Sequence, residues 1–326
     1  MSRNVVVTGA AGRVGRRLMV ELDAAGHSVR GLDRAPGANT ERVETVELTD
    51  PKSVEAALRG ADIVVHLAAF MSWREADAAE VFRASVDASF VLLEVLRSMP
   101  GTELVLASTG DVYPESRPQY LPIDEAHPRR PMSHYGMSKL LVEEMVAFYE
   151  RRYNLAATIL RLPHTQDAAE LLDPDSPMSG PRFFLRSKLE QQRSFHNASA
   201  MKILQAHDDG TEKLLLSLGQ DGTPYTMPIC DTRDTVAGIL AAIDSPSARG
   251  QTIALGPPRA TCFADAVPRM SELTGLPYVE VRLPGPAINY AVDLTKAQRL
   301  LGFVPHYSFD QMLDDAAAAF HARRQS

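Results

Sequence analysis

The apolar positions fall in short runs separated by longer amphipathic stretches. Residues 5–7 are three valines, a β-branched run of the kind that forms a strand buried on both faces. Residues 28–32, 43–48, 62–67, 103–107 and 155–162 repeat that pattern and predict five more strands, with a last one at 250–256. Between them, periodic segments predict helices up to Ala25, over 51–58, over 76–98, and from Ser133 through Tyr149. Asp50 is placed to cap the 51–58 helix, with Pro51 at its first position. Strands alternating with helices at this rhythm predict an α/β fold, a doubly wound parallel sheet of the Rossmann kind.

Candidate chemistry sits at the ends of these elements. The first strand feeds into Thr8-Gly9-Ala10-Ala11-Gly12-Arg13-Val14-Gly15 and then a helix, the context of a dinucleotide site. Glycines there let the backbone approach a pyrophosphate, whose charge the helix N-terminus favours. The second strand ends at Asp33, where a carboxylate accepts ribose hydroxyls and repels a 2′-phosphate, so NAD is expected. Arg13 and Arg34 leave NADP open as the alternative, since either guanidinium could reach that phosphate. The fourth strand runs into His66-Leu67-Ala68-Ala69, small residues over which a cofactor could lie, with His66 read as core. Tyr135 and Lys139, four apart on a helix, share a face. An ammonium beside a phenol draws its pKa down and equips it to exchange a proton with a substrate hydroxyl.

Bulk properties narrow the classes. The chain has 326 residues, 45% of them apolar, enough for a large core, and its net charge of −7 argues against nucleic-acid or anionic-membrane partners. Cys230 and Cys262 lack metal-ligand spacing, so neither a disulfide framework nor a zinc site is expected. The amino terminus has no apolar run of signal-peptide or membrane-span length, and a cytoplasmic location is expected.

These residues together resemble the extended short-chain dehydrogenase/reductase family, in particular its NAD-dependent epimerase/dehydratase branch. The matches are Thr8-Gly9-x-x-Gly12-x-x-Gly15, Asp33, His66 to Ala69, Ser108-Thr109 to Val112-Tyr113, and Tyr135-x-x-x-Lys139. The resemblance implies that Tyr135 is the acid/base, that Lys139 lowers its pKa and holds the nicotinamide ribose, and that Thr109 holds the reacting oxygen. It implies further cofactor contacts from Gly9, Ala11, Gly12, Arg13, Val14, Asp33, Arg34, Leu48, Leu67, Ala68, Ala69, Leu162 and Pro163. It also implies a dinucleotide-binding domain of 1–165 plus about 225–256, and a substrate lobe of about 166–224 plus 257–326. A homodimer is expected through the helices near 76–98 and 134–152.

Departures from the family pattern bear on the substrate. Ser85 stands where many relatives carry Asn, and Arg161 to Asp167 lacks the run usual in nucleotide-sugar enzymes. Gly110-Asp111 replaces the Asp-Glu typical of dehydratases. The expected activity is hydride transfer at a sugar-like hydroxyl carbon, by an epimerase or by a dehydrogenase of a free sugar, sugar acid or other small alcohol. A non-catalytic dinucleotide sensor is the rival class. Substrate candidates are Ser108, Asp111, Trp73, His164, and Arg182 and Arg186 from the most basic stretch, which suggests an anionic substrate group.

Overall fold

The computed structural model describes residues 2–34 and 42–325, with side chains as far as Phe320. Six of the expected strands form β1 (Asn4–Thr8), β2 (Ser28–Asp33), β3 (Val43–Thr45), β4 (Ile63–His66), β5 (Glu103–Thr109) and β6 (Ala157–Leu162). With Gln251–Ala254 they make one seven-stranded sheet, ordered Gln251–Ala254, β6, β5, β4, β1, β2, β3. Every pairing in it is parallel.

The chain leaves β1 toward β2 and β3, then returns to lay β4 on the other side of β1. This reversal opens a crevice beyond the carboxyl ends of β1 and β4, where open α/β sheets bind ligands. Thr8 pairs with His66 at that edge, so the glycine turn after β1 and Leu67-Ala68-Ala69 after β4 face each other.

Alternation along the strands divides the core. Val6, Val64, Leu104 and Ile159 pack on one face against Leu92, Leu96, Val142 and Val146. Val5, Val7, Ile63, Val105 and Leu160 pack on the other against Leu18, Leu22, Val236 and Ile239. A separate cluster around Phe183, Phe184, Leu214, Phe263 and Met312 is built from residues 171–316, with a parallel pair of strands, Leu214–Leu218 and Tyr278–Arg282.

Two elements differ from expectation. β3 stops at Thr45 rather than residue 48, because Glu47 turns the chain: its carboxylate accepts both the amide and hydroxyl of Thr49, and its carbonyl accepts the amide of Asp50. The 76–98 helix is broken into Ala78–Phe82, a π-helical turn at Arg83–Asp87, and Ala88–Arg97. Such turns concentrate at functional sites, and this one buries Ser85 with its hydroxyl unpaired. No helix among the described residues is long and apolar enough to cross a membrane.

Candidate active site

The glycine turn is shaped by contact as well as by conformation. Gly9 has a φ of 71°, and a Cβ there would lie 2.8 Å from the amide nitrogen of Ala68. Both constraints select glycine. Gly12 begins the helix Arg13–Ala24 with no side-chain cap, and no acidic residue stands in the first turn. The first amides of that helix are therefore left to an anion, as a pyrophosphate site requires.

On one side of the turn a cavity is lined by Gly9, Ala11, Gly12, Asp33, Arg34, Leu48, Leu67, Ala68 and Ala69, all expected cofactor contacts. Asp33 accepts the amide of Ala11 at 3.0 Å. Neither arginine is left to attract a second phosphate. Arg34 donates to Glu80 at 2.7 Å, and Arg13 donates to Glu170 at 2.6 Å with Asp167 3.7 Å away. The surroundings of Asp33 fit the adenosine of NAD.

On the other side, a cavity of ≈ 230 Å³ brings Gly9, Gly12, Arg13 and Val14 together with Thr109, Tyr135, Lys139, Leu162 and Pro163. Thr109 ends β5, and its hydroxyl accepts the amide of Asp111 at 3.2 Å. Ser133 caps the helix His134–Tyr153 through the amide of Gly136, and this fixes the first turn that carries Tyr135. Lys139 follows one turn later and is buried. Tyr135 and Thr109 line the same cavity, and Thr109 favours the ionised form of the phenol.

The charges in this cavity depart from the expectation that Lys139 lowers the Tyr135 pKa. Burial pushes the phenol well above its ordinary value, and the Asp111 carboxylate raises it further against the pull of Thr109. Lys139 is itself pulled down to about 8 by burial, which the nearby Glu143 only partly offsets. The ammonium is desolvated and lies within the field of Glu143, so in the protein alone it does not hold a phenolate. His66 is core, as read from the sequence. It bonds Thr8 at 2.7 Å and Ser89 at 3.0 Å, and burial, then the Lys139 charge, lowers it to about 3.

Asp111 joins the helix start to the cavity. Its carboxylate accepts from Ser133 at 2.6 Å and from the Trp73 indole at 3.0 Å, while the Trp73 ring meets Tyr135 edge-on at 5.9 Å. Burial, then the Glu115 charge, pushes Asp111 up to about 6. Ser108 also lines the cavity, but its hydroxyl is committed to Glu143 at 2.5 Å, within the buried Glu143–Arg161 ion pair. Its proton is given to that pair.

A further cavity, ≈ 300 Å³, continues from this one and shares Trp73, Asp111, Glu115, His164 and Met178 with it. Arg182 lines it, where the sequence reading placed a substrate contact. Arg186 does not: its side chain is exposed and lies outside these cavities. The helix Leu185–Ser194 turns position 186 outward and position 188 inward, so Lys188 is the second cation on the wall. Sequence reasoning also missed Glu115 and Tyr290. Glu115 sits in a proline-rich loop with no periodicity to orient it. Tyr290 comes from far along the chain to pack against Gly110, a juxtaposition no local pattern records.

The geometry agrees with comparisons to known proteins. A model of the NAD dependent epimerase/dehydratase family matches residues 5–256. A crystal structure of a short-chain dehydrogenase/reductase superfamily protein from Agrobacterium tumefaciens with bound NAD is 43% identical, with 98% of each chain covered and a TM-score of 0.94. The putative UDP-glucose 4-epimerase of Methanocaldococcus jannaschii is 30% identical over 204 residues, 58% of this chain and 64% of that one. The uronate dehydrogenase of Pseudomonas syringae pv. tomato is 30% identical over 162 residues, 48% of this chain and 58% of that one. The aligned segments span less than two thirds of the length of these two curated relatives.

Proposed function

The chain belongs to the NAD dependent epimerase/dehydratase family, and from that premise we propose that it transfers hydride at a hydroxyl-bearing carbon of a sugar-like substrate, with Tyr135 as acid/base. The observation that carries this reading is the convergence of Thr109, Tyr135 and Lys139 on the cavity that Gly9 and Gly12 open. Bound NAD would rest on the glycine turn and Asp33, and its nicotinamide would supply the hydride acceptor and a positive charge beside the phenol. Thr109 then holds the substrate oxygen, and Tyr135 Oη takes or returns the hydroxyl proton. Lys139, kept cationic at neutral pH though depressed to about 8, steadies the negative charge that gathers on Tyr135.

Tyr135→Phe should lower kcat by about 10²- to 10⁴-fold, the usual worth of a positioned acid/base. Turnover that survives the substitution would remove the role. NADH absorbance on adding substrate separates the two chemistries, since a dehydrogenase accumulates NADH and a pure epimerase does not.

A homodimer belongs to the same proposal. Phe90, Leu141 and Phe148 lie on helices that pack together beside the sheet, yet remain 50%, 38% and 47% exposed. A second copy would cover them. Sedimentation as a monomer at micromolar concentration would count against it.

A further inference from the structure

Arg182 and Lys188 project into the ≈ 300 Å³ cavity, and neither forms an ion pair among the described residues. Their hydrogen-bond acceptors are neutral. Arg182 donates to the Gln166 amide oxygen at 2.9 Å and to His164 Nδ1 at 3.0 Å, and Lys188 donates to the Gln191 amide oxygen at 3.0 Å. Because a guanidinium only donates, His164 must accept at Nδ1 and present its Nε2–H to Glu115, 3.1 Å away. One imidazole thus joins Arg182 to the wall of the cavity that holds Tyr135.

Both cations are held at a cost. Burial lowers Arg182 to about 10, partly offset by the Glu115 charge beyond His164, and lowers Lys188 to about 8, where the Arg182 charge depresses it further. Two partly buried like charges with only neutral acceptors are stabilised by an anion placed between them. Asp111 and Glu115, carboxylates that accept from hydroxyls, line the same cavity, with Glu115 reached from Arg182 through His164.

We propose that Arg182 and Lys188 form the carboxylate subsite of a free sugar acid, whose reacting hydroxyl lies at Thr109 and Tyr135. This rests on the hydride-transfer reading above and names its substrate class. The charge count favours a monoanion. Two cations and two carboxylates share the wall, so a nucleoside diphosphate would bring its several negative charges against Asp111 and Glu115 as well. The volume agrees, since ≈ 300 Å³ is at the small end of ligand sites.

The test uses Trp73, the single tryptophan of the chain, which borders both cavities. The full-length, NAD-loaded enzyme is titrated with D-gluconate, D-glucuronate, D-glucose, D-glucose 6-phosphate and UDP-glucose, following indole fluorescence and NADH absorbance. At least one acid should bind at millimolar concentration or below, and more tightly than D-glucose. Arg182→Gln and Lys188→Gln should each weaken that acid by about 10- to 100-fold, with kcat changed by less than about threefold. Unchanged NAD affinity in Lys188→Gln confirms its fold if Arg182→Gln proves unstable. The proposal is overturned if neither acid binds, if the phosphate or UDP-glucose binds tightest, or if acid affinity ignores both substitutions. Acid binding that depends on Arg182 without any hydride transfer would sink the catalytic reading and leave the subsite standing.

Discussion

The two ends of the cleft treat their basic residues in opposite ways. Along the cofactor half, Arg13 after the glycine turn is held by Glu170 and Asp167, and Glu80 beside the Asp33 cavity holds both Arg34 and Arg83. At the substrate end, Arg182 and Lys188 meet only amide oxygens and an imidazole. Charge neutralised by fixed carboxylates attracts no further phosphate, whereas charge buried against neutral acceptors still gains from an anion. A count of basic residues would treat both ends alike. Their partners set the two ends apart, and on the proposal above the second would take an anion.

Five substitutions probe that contrast. Gly9→Ala should break the cofactor end most severely: a positive φ and a Cβ 2.8 Å from the Ala68 amide should weaken NAD by about 100-fold, read by titration. Arg182→Gln should leave the NAD constant within about threefold, and a shared loss would show that the ends are not independent. Next is Asp111, at the seam. Its pKa is raised in the fold to about 6 from an unfolded value near ~3.9, so the folded state binds more protons across that window. Stability should therefore fall as pH rises from about 4 to about 6, by an amount of order 2 kcal/mol. Urea unfolding of Asp111→Asn should lack that slope, and an identical slope would locate the proton elsewhere.

Smaller effects follow at the surface. Glu80→Ala releases Arg34 and Arg83 beside Asp33, and should improve NADP relative to NAD by a few-fold in paired Kd measurements. No shift in the ratio would mean that Asp33 alone sets the preference. Arg186→Ala, which alters only an exposed side chain, should leave substrate KM within about twofold. A clear rise would return this residue to the substrate site.

Much of the cofactor half could be read locally. Gly9 to Gly15, Asp33 and Leu67 to Ala69 lie at strand ends, and the sheet order then delivers every strand end to one crevice. The assignment of β3 through residue 48 failed because Glu47 and Asp50 form a turn whose side-chain bonds no hydrophobic pattern reports. Leu48 still lines the cavity, carried there by the turn rather than by a strand. At the other end, the sequence reading paired Arg182 with Arg186, and only Arg182 lines the cavity. The helix phase from Leu185 onward puts Lys188, not Arg186, on the cavity wall, and that phase depends on how Leu185 and Leu189 are buried.

The sequence by itself determined the alternating order of strands and helices, the glycine turn with its acid partner, and the Tyr135–Lys139 spacing, because each follows from residues adjacent or one turn apart. Only the tertiary structure decided the electrostatics. It buried Tyr135 within the field of Asp111, paired Glu143 with Arg161 while its charge still reaches Lys139, and brought Glu115 and Arg182 to opposite nitrogens of His164. A charge's effect depends on its distance to the others and on the water between them, and a linear pattern holds neither quantity.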